Sequence, residues 1–327
     1  MYSDALEAVP NDSEVADLQF NIGNVLERLG RDGAEKAYRE SVARDPSHLA
    51  ARNNLALLLL RRGDAEGAVN ELRMGLSSNR ENTAEARNNL GIALEKCNLV
   101  EEAMEAYEIA IDASKGMDAR PLTNLGSTLS RLADETEDDE MAWNFRDRAL
   151  KSYRSAALLA PFDADLRFNV AAALDESGDL VEAIAEYRAA IAIDPDHSIA
   201  HNNLGLALEE LENFEEALSH FRRAVDVDPK DGDTWFNRAN LAAKCQYTDE
   251  ALDAYARAAA TDSAVTFQAH EAAANVAAQV GKIQLAIDHA KAARKAAIDT
   301  DDKQRASQLL RHLLEIWRET QEEDLLS

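Results

Sequence analysis

The sequence predicts an all-α solenoid of about eight helix hairpins followed by a C-terminal capping helix. Three observations lead to this fold class. Glycine and proline are scarce, with 13 and 6 in 327 residues, and such a composition favours helix over strand. Alanine returns every 34 or 35 residues, with one longer step of 46. Four residues after each of these alanines comes an aromatic or aliphatic side chain, which places both on one helix face.

The period marks eight copies of one helix pair. The alanines are Ala34, Ala68, Ala103, Ala149, Ala183, Ala217, Ala251 and Ala286. A second small residue stands upstream of each alanine, at Gly23, Ala56, Gly91, Gly126, Ala171, Gly205, Ala239 and Ala274. Small side chains at both positions let two helices approach closely. One hairpin cannot bury its apolar face alone, so we expect the hairpins to stack on a shared core.

The elements follow in chain order. Residues 1–14 are expected to be a loose leader, and residues 15–300 carry the eight repeats. Glycines such as Gly30 and Gly178 fall between the two helices, where a left-handed residue ends the first helix. Residues 301–320 form an amphipathic capping helix, and residues 321–327 are a tail. The repeats span about 15–48, 49–83, 84–118, 119–163, 164–197, 198–231, 232–266 and 267–300.

The fourth repeat departs from the pattern. It carries eleven extra residues near 133–143, and six of the seven residues from Asp134 to Glu140 are acidic. Two interpretations stay open. The segment is a solvated turn whose acids favour the start of the next helix, or it is an acidic loop that docks a basic partner.

These residues and spacings resemble the tetratricopeptide repeat family. The likeness covers roughly residues 15–298, and HNNLGLALEELENFEEALSHFRRAVDVDP at 201–229 follows the family pattern closely. The resemblance implies a right-handed superhelix whose first helices line the concave face. It also implies a protein or peptide as the partner.

One asparagine recurs two residues before the small position of the first helix. A primary amide both donates and accepts a hydrogen bond, so a row of them can hold a peptide backbone. The row resembles the asparagine series in the tetratricopeptide region of O-GlcNAc transferase. The alternative is that each amide bonds within its own or the adjacent hairpin. The series comprises Asn21, Asn54, Asn89, Asn124, Asn169, Asn203 and Asn237.

Basic side chains stand two residues before four of these asparagines: Arg52, Arg87, Arg167 and His201. On the concave face they favour a ligand with some negative charge, although long arginine side chains also cover apolar surface. The family's clamp for a terminal carboxylate needs basic residues where Phe20, Glu85 and Asn89 stand. A role in binding chaperone C-termini is therefore disfavoured.

Composition and motifs exclude several other classes. The 35 basic and 61 acidic residues leave a net charge of −26, which argues against nucleic acid and anionic membranes. There is no secretory signal and no apolar run long enough to cross a membrane, so we expect a cytoplasmic protein without membrane insertion. We also expect no catalytic residues, no metal and no cofactor, because no motif for them occurs.

The expected function is a non-catalytic scaffold or adaptor that holds an extended peptide segment in the concave groove. One alternative is the substrate-recognition region of a protein-modifying enzyme such as a glycosyltransferase. Another is a structural subunit of a larger assembly. The sequence leaves the partner and the oligomeric state open.

Overall fold

The structure, a computed structural model, describes residues 11–78, 83–261 and 264–326. Within these ranges the chain forms seventeen helices and no strand, which confirms the predicted all-α class. The chain divides into two compact units, Met1–Pro161 and Phe162–Ser327. No helix in the described ranges combines the length and the apolar character that a membrane span requires.

Unit 1 contains four helix hairpins. The two helices of each hairpin pack together, and each second helix contacts the first helix of the next hairpin. First helices of neighbouring hairpins also touch, as α3 and α5 do. The helices are α1 (Asp12–Arg28), α2 (Ala34–Arg44), α3 (Leu49–Arg61), α4 (Ala65–Ser78), α5 (Ala84–Lys96), α6 (Val100–Ala113), α7 (Ala119–Glu135) and α8 (Asp139–Leu159).

Unit 2 repeats this arrangement and adds one helix. Its hairpins pair α9 with α10, α11 with α12, α13 with α14, and α15 with α16, while α17 packs on α16 and α15. The helices are α9 (Ala164–Glu176), α10 (Leu180–Ile193), α11 (Ser198–Glu210), α12 (Phe214–Val227), α13 (Gly232–Lys244), α14 (Thr248–Ala260), α15 (Thr266–Gln279), α16 (Ile283–Ala296) and α17 (Thr300–Leu326).

An aromatic ring from the second helix packs directly against the recurrent small residue of the first helix. In α5 a Cβ atom added to Gly91 would lie less than 3.0 Å from Cε1 of Tyr107, and Tyr107 is fully buried. The same contact joins Gly23 to Tyr38 and Gly205 to Phe221. The repeat needs a small residue there because the ring occupies the space of a side chain.

The glycines predicted between the helices adopt the left-handed conformation. Gly30 has φ +61° and Gly178 has φ +81°, a region that glycine enters without steric penalty. Asn98, Glu212 and Gln246 take the same conformation after α5, α11 and α13, so the turn geometry is common to glycine and non-glycine repeats.

The acidic insertion of repeat 4 is not a loop. It lengthens both helices, so α7 has 17 residues against 13 in α5, and α8 has 21 against 14 in α6. Only residues 136–138 connect the two. Asp138 begins α8 by accepting a hydrogen bond from the Met141 backbone N–H at 2.9 Å. The turn is thus only three residues long, and Asp139 and Glu140 in the first turn of α8 agree with the interpretation that the acids favour the start of the next helix. The docking of a basic partner stays a prediction.

The ends of the chain also differ from expectation. Of the predicted leader, residues 1–10 lie outside the described residues, and Asn11 caps α1 by accepting from the Glu14 N–H at 2.9 Å. The last helix continues to Leu326, through residues 321–326 that were expected to be a tail. Ala306 of this helix shares a buried cluster with Phe267, Ala293 and Ala297, so α17 covers the apolar end of the last hairpin.

Candidate functional site

Three predicted asparagines of unit 1 bridge neighbouring first helices through their side-chain amides. In each bond an Nδ2 group donates to the Oδ1 atom of an asparagine in the preceding repeat, and the two atoms lie 2.8 Å apart. Two adjacent first helices are thus joined by a direct hydrogen bond between side-chain amides. The bonds run from Asn54 to Asn24, from Asn89 to Asn53, and from Asn124 to Asn88.

Unit 2 continues the pattern less regularly. Asn237 Nδ2 donates to Asn202 Oδ1 at 3.1 Å, whereas Asn203 Nδ2 reaches the Tyr187 hydroxyl at 3.4 Å. Asn169 lies half-buried on α9. In unit 1 the first member of the series, Asn21, is exposed on α1.

These contacts divide the series into two kinds of residue. Asn89 is only 6% exposed, so its amide serves the stacking of repeats. Asn54 and Asn124 are half-buried, and each commits one N–H to its neighbour. An amide has two N–H donors and one carbonyl oxygen, so both keep polar capacity for a ligand.

The side chains of the predicted basic residues Arg52 and Arg167 point toward the second helix of their own hairpin. Arg52 is 3% exposed; its guanidinium pairs with Glu71 of α4, and Nε donates to the Pro46 carbonyl at 2.8 Å. Arg167 pairs with Glu186 at 2.9 Å. The expectation that this position faces a ligand is therefore corrected for the buried Arg52, whereas Arg167 is partly exposed and its role stays a prediction. Arg87 holds the equivalent place on α5 and is half-buried.

His201 is likewise buried inside a hairpin. Its Nδ1 atom lies 2.9 Å from Nδ1 of His220, and its Nε2 atom lies 3.2 Å from the Pro195 carbonyl. Trp235 makes the equivalent bond, from Nε1 to the Pro229 carbonyl at 3.0 Å. The role of this position is to tie the first helix to the preceding proline turn, because a buried carbonyl needs a donor.

Sequence reasoning missed the partners at this position, although the sequence contains a signal for them. The partner stands 19 residues further on in each case. An arginine is matched there by a glutamate, and a histidine by a histidine. Such matched types at a fixed spacing indicate a contact between the two helices of a hairpin. The pairs are Arg52 with Glu71, Arg167 with Glu186, His201 with His220, and His270 with His289.

Carboxylates further along the first helices are mostly neutralised by the next repeat. Glu95 accepts from the Tyr107 hydroxyl at 2.7 Å and from Thr128 at 2.6 Å, and Arg131 lies 3.6 Å away. Burial raises the pKa of Tyr107, and its hydrogen bond to Glu95 raises it further. The phenol therefore stays a donor. The carboxylate thus belongs to a closed network.

Asp175 of unit 2 breaks this rule. It accepts from the Tyr187 hydroxyl at 3.2 Å, but Glu210 stands where α7 and α13 place Arg131 and Lys244. Burial raises the pKa of Asp175, and the negative charge of Glu210 also raises it. This stretch of the first helices is therefore electrostatically negative.

A cavity of unit 1 lies among α1, α3 and the start of α5. It has a volume of about 640 Å³. Three carboxylates, Asp17, Asp45 and Glu85, share its wall with the amides of Asn53 and Asn54. Among the described residues, no lysine or arginine lines it. This lining is electrostatically complementary to positive charge and offers several hydrogen-bonding groups.

His48 and Phe20 complete the wall. The rings of the two residues lie 5.0 Å apart, and His48 Nδ1 accepts from the Ala51 N–H at 3.2 Å as the cap of α3. The other ring nitrogen therefore carries the proton and lies 3.2 Å from Asp17. The cavity thus offers an aromatic surface beside its carboxylates.

The described residues contain no group of three or more His, Cys, Asp or Glu side chains placed to hold a metal ion. What each unit does contain is a stack of helix hairpins with polar side chains along the first helices. This arrangement defines the class of helical-repeat interaction proteins.

Comparison with known proteins narrows the class. Three family models match: tetratricopeptide repeat at 31–75, TPR repeat at 173–211 and tetratricopeptide repeat at 198–231. Residues 31–75 and 173–231 therefore match tetratricopeptide repeats, and repeats of this kind generally mediate protein–protein interactions. No curated protein sequence matches the chain significantly.

Solved structures support the fold. The C-terminal part of a TPR repeat-containing protein from Cytophaga hutchinsonii is 15% identical with a TM-score of 0.56, and the match covers 76% of this chain and 94% of that one. YrrB, described as a TPR protein with an unusual peptide-binding site, is 24% identical with a TM-score of 0.50 and coverages of 65% and 99%. The APC/C hetero-tetramer Cut9–Hcn1 is 18% identical with a TM-score of 0.53; the match covers 86% of this chain and 52% of that one.

Proposed function

We propose that this protein is a non-catalytic interaction scaffold that binds an extended, positively charged peptide segment along its first helices. The cavity of unit 1 carries the proposal, because it joins three carboxylates to two amides in one space of about 640 Å³. Peptide binding by a similar fold, as described for YrrB, agrees with this use of the groove.

The amides supply contacts to the peptide backbone. Asn54 is oriented by its bond to Asn24, so its carbonyl oxygen is held in place for a ligand. Pre-oriented groups cost less entropy on binding than free ones. The likeness of the asparagine series to O-GlcNAc transferase motivates the same role for Asn124 and for the half-buried members of unit 2.

The carboxylates supply specificity. A lysine or arginine side chain entering the cavity would meet Asp17 and Glu85 on the rim and could rest against Phe20. Charge-assisted bonds of this kind are about twice as strong as neutral ones. This reverses the ligand charge expected from the arginines, since Arg52 and Arg167 are already neutralised inside their hairpins.

A displayed library of random linear peptides tests the proposal. We expect wild-type protein to select peptides enriched in Lys and Arg. Their binding should weaken several-fold in Asn54→Ala, since a neutral hydrogen bond contributes about 0.5–1.5 kcal/mol. It should weaken about tenfold or more in the pair Asp17→Asn with Glu85→Gln, since a hydrogen bond to a charged group contributes about 1.5–3 kcal/mol. Fluorescence anisotropy on selected peptides measures the loss.

Asn275→Ala is the matched control, because Asn275 is an exposed asparagine on the first helix α15 of unit 2. It should leave binding unchanged. Asn89→Ala is avoided, since it removes a buried bond between repeats. Asn54→Ala removes a part-buried bond of the same kind, so its stability is checked by urea unfolding. Selection of peptides without basic residues, or equal binding by all variants, would exclude the cavity as the site.

A further inference from the structure

The extension of α8 carries large apolar side chains that the protein itself does not cover. Trp143 is 67% exposed and Met141 is 50% exposed. They flank a hollow of about 310 Å³, whose wall includes Glu140 and Asn144. Exposed aromatic residues beside a hollow are typical of interaction surfaces.

Trp143 differs from the buried tryptophan of unit 2. Arg238 and Arg257 lie over the ring of Trp235, at 5.1 and 4.9 Å from its centre. In the part of the chain that the structure describes, no arginine or lysine lies over Trp143. The indole face is therefore open to a cation from outside.

The acidic residues around the hollow indicate that this cation comes from a basic partner. Some acids of the extension are already used: Asp138 caps α8, Glu135 pairs with Arg131 at 3.0 Å, and Asp134 lies 3.8 Å from Arg146. Glu137, Asp139 and Glu140 are exposed, and no basic side chain of the described residues lies within ion-pair distance of them. Helix stabilisation explains acids in a first turn, but it does not explain an exposed tryptophan beside them.

We propose that this surface, formed by Glu137, Asp139, Glu140, Met141 and Trp143, binds a basic segment of a partner protein. The hollow takes one lysine or arginine side chain. The apolar stem of that side chain packs between Met141 and Trp143, and its charge lies against Glu140 and the indole face. A second copy of this chain is disfavoured as the occupant, because it would bring another strongly acidic surface to the contact.

The test uses the full chain and a fluorescein-labelled amphipathic peptide of Leu, Lys and Arg, with a Gln-for-Lys/Arg version as the neutral probe. We expect Trp143→Ala combined with Met141→Ala to weaken the basic probe about tenfold. Trp143→Phe, which keeps an aromatic face, should restore most of the binding. Glu137→Gln with Asp139→Asn and Glu140→Gln should reduce both the affinity and its dependence on salt.

Matched controls separate a site from general attraction to an acidic protein. Glu101→Gln with Glu105→Gln and Asp112→Asn removes the same charge from exposed positions on α6, and Met117→Ala removes an apolar side chain that is 78% exposed. Both should leave binding unchanged. Radical footprinting of the wild-type complex should show protection of Trp143 and Met141, a readout that needs no variant to fold.

Three results would overturn the proposal. The basic probe could bind all variants equally, as non-specific attraction would produce. Wild-type protein could fail to bind it. Sedimentation could instead show self-association that Trp143→Ala abolishes, which would make a second copy the occupant. All variants are compared in the Asp17→Asn, Glu85→Gln background, so that the basic probe does not report on the cavity of unit 1 and the two proposals fail separately.

Discussion

At the residue scale, the contact between Gly91 and Tyr107 sets how closely two helices of a hairpin approach. Gly91→Ala places a Cβ atom less than 3.0 Å from the ring, and the ring is held by the bond from its hydroxyl to Glu95. Overpacking costs about 1–3 kcal/mol, against a gain of about 1 kcal/mol in helix propensity. We expect a net loss of about 1 kcal/mol in the free energy of unfolding, measured in urea.

Gly67→Ala provides the comparison. Gly67 lies within α4, and the atoms nearest to its added Cβ belong to the flexible carboxylate of Asp64, which accepts from the Gly67 N–H at 2.9 Å. Because that carboxylate can shift, the gain in helix propensity should outweigh the cost to this cap. If Gly91→Ala were equally stabilising, the ring contact would not be what requires a small residue.

The buried pair of Arg52 and Glu71 gives a second prediction at this scale. Glu71→Ala leaves a guanidinium that is 3% exposed without its carboxylate, and an uncompensated buried charge costs about 3–5 kcal/mol. Because Glu71 is itself partly exposed, we expect about 2 kcal/mol by urea unfolding. Glu216→Ala, which breaks an exposed pair with Arg188, should cost less than about 1 kcal/mol. Equal losses would contradict the distinction.

Individual residues also show how far the sequence alone leads. The period located Gly91 and Tyr107 correctly, because a contact within every repeat leaves the same residue types at the same spacing. It misplaced Arg52 and His201, because helix position does not tell whether a long side chain turns toward a groove or into its own hairpin. The answer lay in the matched partner on the second helix, which only the packing of the hairpin brings close.

At the element scale, a histidine pair lies between the two helices of two hairpins, α11 with α12 and α15 with α16. The Nδ1 atoms are 2.9 Å apart between His201 and His220, and 3.2 Å apart between His270 and His289. Burial lowers the pKa of all four imidazoles below the ordinary value near 6.5. The folded state therefore takes up protons less readily than the unfolded chain.

The lowered pKa values make the free energy of unfolding depend on pH. As pH falls through about 6.5, the unfolded chain binds protons that the folded chain refuses, so the free energy of unfolding decreases. We expect lower stability at about pH 5.5 than at about pH 7.5 in urea unfolding. His220→Gln with His289→Gln should flatten this slope. An unchanged slope in the double variant would show that other titratable groups cause the pH dependence of stability.

The insertion of repeat 4 shows what element prediction lacked. Its acids predicted either a solvated turn before the next helix or a docking loop, since a run of like charge is usually solvated. The structure limits the turn to residues 136–138 and places Asp139 and Glu140 in the first turn of α8, where the positive end of the helix dipole attracts them. Local helix propensity and the cap at Asp138 decided between the two, and the consequence is an ordered surface that presents Trp143 rather than a free loop.

At the scale of the whole molecule, charge is the dominant property. Even if every one of the 35 basic residues paired, 26 acidic residues would remain, so self-repulsion opposes the folded state. The ion pairs between helices are mostly exposed, and such pairs contribute about 0–1 kcal/mol each. Salt screens both the attraction within ion pairs and the repulsion among acidic residues. Because acidic residues are in excess, the repulsion is the larger of the two.

This balance predicts that the melting temperature rises by several degrees between about 0.01 and 0.15 M NaCl, as the screening length falls from about 30 to 8 Å. Thermal unfolding followed by circular dichroism measures the change. Choline chloride at equal ionic strength should produce the same rise, because screening does not depend on a bound cation. A melting temperature that falls with salt would show that ion pairs outweigh repulsion. A rise confined to NaCl would point to specific sodium binding by the acidic surface.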